Sequence, residues 1–278
     1  MIIVADSGST KTTWAVVGTR RRTVTEGLNP HFTTDGQFFA ACATVRQQFS
    51  ILNFQFSIYF YGSGCGSEVQ RQRVVRLLTE AFGTADVHVE TDMLGACRAV
   101  CGDRAGLVGI LGTGSNACYY DGSAIRHQAV STGYILGDQG SANHVGRLLL
   151  NSYLTHRMPE ELRHMFHDTY RMSDEQLMDA VYHQPHPNRF LASLAPFVLS
   201  NKRYNFCYQM LMSSLREWYH FQVEEVRRVS RCSELSVVGG FGARLKTTLL
   251  DFAAEENLAV GTVMADPIGG LLRYHAQR

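Results

Sequence analysis

The chain has 278 residues, is 45% hydrophobic and carries a formal net charge of +1. That is enough chain and enough apolar content for one large domain or two smaller ones with real cores, and it excludes a disordered polymer. The near-neutral balance excludes a broad nucleic-acid or membrane-binding surface, and Arg20-Arg21-Arg22 reads as a short solvated loop. Taken in order, the first residues predict strands at 2–6, 12–18 and 23–28, separated by turn residues as in a meander. A helix is predicted over 35–49 and a strand over 54–62. Residues 67–82 place Val69, Arg73 or Val74, Leu77, Leu78 and Phe82 near helical spacing. A strand at 87–90 leads through Thr91-Asp92 into another helix, for which Asp92 is a ready cap.

A second series begins at 106. Residues 106–122 read as strand, glycine-rich turn and strand, and 124–130 as a third strand. Helical sequence follows from 141 to 154 and again over 158–230, interrupted at Gln184-Pro185-His186-Pro187. Residues 235–243 are a strand entering a glycine-rich turn and helix, 261–266 a last strand, and 267–277 a last helix. No apolar run approaches the ~20 residues of a membrane span, and the start lacks the pattern of a signal peptide, so a cytoplasmic location is expected. The seven cysteines are odd in number and scattered, with no CxxC pair. They predict reduced, buried thiols, including Cys65 in its tight glycine turn. His183 and His186 read as a surface loop, and Trp218, Tyr219 and Phe221 as helix core or a subunit contact.

The two series echo each other. Gly8-Ser9-Thr10 and Gly114-Ser115-Asn116 each sit between two strands. FYGSGCGSEV (60–69) matches VVGGFGARL (237–245), and ETDMLGACRAV (90–100) matches MADPIGGLLRY (264–274). The order strand, strand, strand, helix, strand, helix, strand, helix therefore occurs twice, with a mostly helical insertion at about 155–230 in the second copy. Shared order with shared glycines predicts an internal duplication.

A glycine turn after a buried strand can be a hairpin and nothing more, or it can cradle phosphate. Glycine lets the backbone approach closely, and the N–H groups then point at anionic oxygens. Gly8 and the hydroxyls of Ser9, Thr10, Thr12 and Thr113 fit the second use, and Lys11 adds a positive charge that could equally face solvent. Asp6, at the strand end, is a candidate partner for hydrated magnesium, which commonly keeps several waters and takes one or two carboxylates. Neither turn matches the P-loop pattern, and no GxGxxG follows the first strand.

DSGSTKT, TDMLGA, GTGSN, GDQGSA and GGFGA occur in this order, and together they resemble the BadF/BadG/BcrA/BcrD ATPase family and its N-acetylglucosamine kinase-like branch, within the actin-like superfamily that includes hexokinase. The resemblance runs over nearly the whole chain. It implies an α/β fold of two ribonuclease-H-like domains with ATP in the cleft between them, about 1–102 and 103–266, with the last helix (267–278) returning to the first. It implies that Asp6 to Thr12 hold the phosphates and, through Asp6, the Mg2+ shell. Thr113 would face the phosphates, and Gly239, Gly240 and Ala243 would lie beside the adenosine. Asp92 corresponds to the family's catalytic Asp. Asn29, Gly114, Ser115, Asn116 and Asp138 correspond to positions at the amino sugar. A cleft carboxylate can take the proton of an attacking hydroxyl, and positioning supplies most of the acceleration.

Two departures stand out. Ser7 and Ser9 replace glycines common in the first turn, and Gln139 stands in GDQGS where GDEGS is commoner. The implied activity is ATP-dependent phosphorylation of an amino sugar, N-acetylglucosamine or a relative, at the 6-hydroxyl. The alternatives are an ATPase that drives a partner enzyme and a non-catalytic sugar or nucleotide sensor. The expected partner is a small sugar, with no nucleic acid and no membrane. The oligomer stays open, the helical insertion offering a surface for a homodimer.

Overall fold

A computed structural model describes residues 1–50 and 55–278. Residue 54, the first of the predicted strand 54–62, lies outside the described residues. The chain divides into two compact units. One comprises Met1–Ala105, Asp121–Ile125 and Asp266–Arg278; the other comprises Gly106–Tyr120 and Arg126–Ala265. Residues 121–125, which the sequence boundaries give to the second domain, thus group with the first unit.

The first unit contains β1 (Ile2–Ser7), β2 (Lys11–Val16), β3 (Arg22–Glu26), α1 (Asp35–Gln48), β4 (Ser57–Gly62), α2 (Glu68–Phe82), β5 (Val87–Thr91) and α3 (Asp92–Cys101). Its strands form one sheet in the order β3-β2-β1-β4-β5. β1 pairs antiparallel with β2 and parallel with β4, so both its edges are taken up. Helices pack on it: Ile3 and Ala5 share a core with side chains of α1 and α2, and α3 and the last helix of the chain (Ile268–Ala276) also contact the strand. That explains the unbroken burial of Ile3, Val4 and Ala5, where a half-exposed strand would alternate. Trp14 packs between Phe60 and Phe82, with ring centroids 6.0 and 5.9 Å away. On α2, Val74, Leu77, Leu78 and Phe82 face this core as the spacing predicts. Val69 does not; it is 75% exposed in the first turn, where the helix has only just left its Ser67 cap. Thr34 and Gln37 close a capping box at the start of α1, which fixes its first turn reciprocally.

The second unit repeats the plan with β6 (Gly106–Leu111), β7 (Ser115–Tyr120) and β8 (Ile125–Gln128), then a short helix not anticipated from sequence, α4 (Gly133–Leu136), and α5 (Ala142–Leu154). The insertion comprises α6 (Glu160–Tyr170), α7 (Asp174–Tyr182), α8 (Pro187–Ser200), α9 (Asn205–Trp218), a π-helical turn (Tyr219–Val223) and α10 (Glu224–Ser230). β9 (Glu234–Val238), α11 (Gly240–Arg244), α12 (Lys246–Glu255) and β10 (Ala259–Met264) follow, and α13 (Ile268–Ala276) packs on α3 and β1 of the first unit, to which it belongs. The second sheet runs β10-β9-β6-β7-β8. Read from its other edge it is the first sheet again, with an antiparallel meander of three strands followed by two parallel strands. The duplication expected from the glycine echoes is therefore present in the topology. Trp218 is fully buried and Tyr219 is partly buried against the same core, while Phe221 is 60% exposed. The Cys65 thiol is fully buried, and burial pushes it up to about 12. Among the described residues no helix is long and apolar enough to cross a membrane.

Candidate active site

In the first unit the candidate residues gather at the end of β1. Gly8 N donates to Lys11 O at 3.0 Å and closes the turn between β1 and β2. Gly27, just past β3, supports it from the side. A Cβ there would lie 2.5 Å from Gly8 O and 2.6 Å from Ser9 C, so no other residue fits without moving the turn. The sequence reading passed over Gly27; its position immediately before Leu28-Asn29 was the available signal. Thr10 and Lys11 are exposed. Thr12 is a correction. Its hydroxyl is fully buried, lies 2.8 Å from Ser7 Oγ and donates to Glu26 O at 3.0 Å, so it holds the turn together and is not presented to a phosphate. Ser7, one of the departures, belongs to the same network, accepting Leu28 N at 3.0 Å.

Three carboxylates lie near this turn. The cap of α3 is Thr91, whose hydroxyl accepts Leu94 N at 3.2 Å, and not Asp92. Asp92 occupies the first helical position with one oxygen accepting Met93 N at 2.9 Å, so capping does not explain the residue. Burial pushes its carboxyl up to about 6, against the opposing effect of that backbone hydrogen bond. Asp6 is pushed up to about 7, by burial first and then by the charges of Asp266 and Asp92, with Lys11 acting the other way. Asp266 accepts Ile268 N at 2.9 Å and stands 3.9 Å from Lys11 Nζ. An excess of partly buried carboxylates with a single exposed lysine is a donor set suited to a hard cation. Among the described residues no group of three or more His, Cys, Asp or Glu is close enough to enclose a metal by itself. Asn29 is 8% exposed. Its Oδ1 accepts His31 N at 3.0 Å in a turn of its own, and its amide reaches Ser63 Oγ at 3.4 Å.

In the second unit the equivalent turn joins β6 to β7. The start of α5 clamps it: Ala142 N donates to Gly112 O at 2.9 Å, and the Asn143 amide donates to Thr113 O at 2.6 Å and to Asp138 Oδ2 at 2.9 Å. Asp138 adopts a left-handed backbone (φ 57) and accepts Ser115 N at 3.2 Å, so its carboxylate anchors the Gly114-Ser115 turn. Burial pushes its carboxyl above the ordinary Asp value, while the Ser115 and Asn143 hydrogen bonds and the Arg147 charge pull the other way. Ser115 Oγ donates to Gln139 O at 2.6 Å and accepts Gln222 Nε2 at 3.0 Å. The Gln139 side chain turns back to Leu136 O. Asn116 accepts the N–H of Ala117 at 2.8 Å. Gly239, at φ 128, starts α11, where Ala243 N returns to Gly239 O at 3.0 Å. Gln222 and Asn143 were absent from the sequence reading. Each is buried and far in sequence from, or on a different element than, the residue it holds.

The chain is 33% identical to a candidate N-acetylglucosamine kinase from Porphyromonas gingivalis, over 100% of this chain and 99% of that one, with a TM-score of 0.92. The chain belongs to that sugar-kinase family. A candidate N-acetylglucosamine kinase from Chromobacterium violaceum shares the fold at 20% identity, over 98% of each chain, with a TM-score of 0.76. The ROK family glucokinase of Streptomyces griseus, solved with glucose and AMPPNP, shares it at 14% identity over 98% of this chain and 97% of that chain, with a TM-score of 0.62. No protein-family model and no curated protein matches the sequence. The two five-stranded sheets of the sugar-kinase fold are the two units described above.

Proposed function

We propose that this sugar kinase phosphorylates an amino sugar with ATP, taking N-acetylglucosamine or a close relative at its 6-hydroxyl, in the cytoplasm, and that it falls in the N-acetylglucosamine kinase-like branch of the BadF/BadG/BcrA/BcrD family. The observation that carries the reading is the 33% identity to the Porphyromonas gingivalis protein over essentially the full length of both chains. Asp92 acts as general base. With a carboxyl near 6 it is mostly ionised at neutral pH, yet more basic than an exposed carboxylate, which favours accepting the proton of the attacking hydroxyl. Asp6 would hold Mg2+, and Asp266 adds negative charge beside Asp6. When bound, the ion neutralises charge on the phosphates.

Gly8, Ser9, Thr10 and Lys11 bind phosphate in the first unit and Thr113 in the second, with Gly239, Gly240 and Ala243 at the adenosine. Asn29, Gly114, Ser115, Asn116 and Asp138 take the sugar. Because the Ser115 hydroxyl already donates to Gln139 O, it meets a sugar hydroxyl only as an acceptor. The test is ADP release with Mg-ATP across a panel of amino sugars and hexoses. One N-acetylated sugar should stimulate turnover strongly, and Asp92→Asn should lower kcat by about 10²–10⁴ with little change in sugar KM. ATP hydrolysis that ignores every sugar would reject the reading in favour of a partner-driving ATPase.

A further inference from the structure

The helical insertion contains one break in helical register. α9 ends at Trp218, α10 begins at Glu224, and the five residues between them form the π turn. The wider i→i+5 turn is rare and usually survives where it serves a site. It carries two side chains inward, Val223 and the polar Gln222, which is 4% exposed. Its Nε2 donates to Ser115 Oγ at 3.0 Å across 107 positions of sequence. Ser115 is fixed further by its own donation to Gln139 O and by the Asp138 carboxylate on its N–H. The preceding residues of the same helix hold the neighbouring turn. Trp218 Cβ would lie 2.6 Å from a Cβ at Gly140, and Ser214 Oγ lies 2.8 Å from His144 Nδ1, which Gly140 N also approaches at 3.3 Å.

A buried glutamine kept only for packing would be better replaced by methionine or leucine. Its Oε1 is buried without a hydrogen-bond partner among the described residues, and an unpaired buried acceptor is costly. What the residue gains in return is one donor bond, to Ser115.

We propose that Gln222 is a positioning residue for the acceptor sugar. It acts through Ser115, fixing which way that hydroxyl points so that its remaining lone pair meets a sugar O–H. This rests on the assignment of Ser115 to the sugar. The test is steady-state kinetics with each substrate varied in turn, for wild type, Gln222→Met, Ser115→Ala and the double variant, with thermal melting of each. Gln222→Met should raise the sugar KM about tenfold while the ATP KM stays within about twofold. In the Ser115→Ala background it should add almost nothing, because the hydroxyl it orients is gone. If Gln222→Met does not fold, Gln222→Asn, one methylene shorter and unable to reach Ser115, should give the same selective rise. A sugar-dependent wild type in which the substitutions shift both KM values alike, or add fully to Ser115→Ala, overturns this inference alone. A wild type whose turnover ignores every sugar overturns the functional reading and this inference with it.

Discussion

The two glycine turns occupy equivalent places in equivalent sheets and are held in different ways. The first, at residues 8–10, is held by its own neighbourhood: Lys11 O, the buried Ser7–Thr12 hydroxyl pair, and the bare edge of Gly27. The second, at 112–114, is held by side chains delivered from helices, namely Asn143 and Asp138 around the start of α5 and Gln222 from the π turn. A turn built locally can leave its outer residues, Thr10 and Lys11, open to solvent. A turn clamped from several elements has most of its polar groups committed, which suits recognition of a fixed pattern of hydroxyls.

The largest expected contrast is in pH. Asp6 and Asp92 lie near the first turn with carboxyls at about 7 and about 6, against 3.8 for an ordinary Asp. If Asp92 must be ionised, kcat/KM should fall about tenfold per pH unit below 6. Stability should move the opposite way. Between pH 4 and 7 the folded chain binds more protons at these two groups than the unfolded chain does. Their contribution is fully present below about 4 and is lost as pH rises through 6 to 7. Asp92→Asn should flatten part of that slope in thermal melts. A melting temperature that falls through this window as sharply in the variant as in wild type would break the account of the first turn.

The glycines come next. Gly27→Ala should cost about 1–3 kcal/mol in chemical denaturation and raise the ATP KM more than the sugar KM. Gly140→Ala, with φ 79 and Trp218 in the way, should cost at least as much and reverse that preference. Equal effects of both on both substrates would erase the distinction between the turns. Thr12→Val should cost about 1–2 kcal/mol, because Glu26 O loses its donor, while leaving the ATP KM within a factor of a few. Lys11→Met should be smallest in stability, since its contact with Asp266 is long and its side chain exposed. An exposed pair of that kind is worth about 0–1 kcal/mol, so any effect should appear in ATP binding at low salt.

The same contrast sorts what was legible in the sequence. The doubled strand order, both glycine turns and the insertion could be read because each is written in contiguous residues with its own periodicity. Asp92 was visible, but Thr91 had to be seen in place before capping could be set aside as its purpose. Thr12 looked like a phosphate ligand because the sequence does not say that its neighbour Ser7 and the distant Glu26 O take up its hydroxyl. Gln222 left no trace at all. A π turn keeps helical periodicity nearly intact, and its partner lies 107 residues away.

The chain has two tryptophans, and each unit owns one. Trp14 lies in the first core with its indole N–H on Thr25, whereas Trp218 lies in the second with no hydrogen-bond partner for its own among the described residues. Buried in chemically different surroundings, the two should emit at different wavelengths. Single-tryptophan variants would therefore give each half of the molecule a private optical signal, so that the melting of one could be followed while the other still holds.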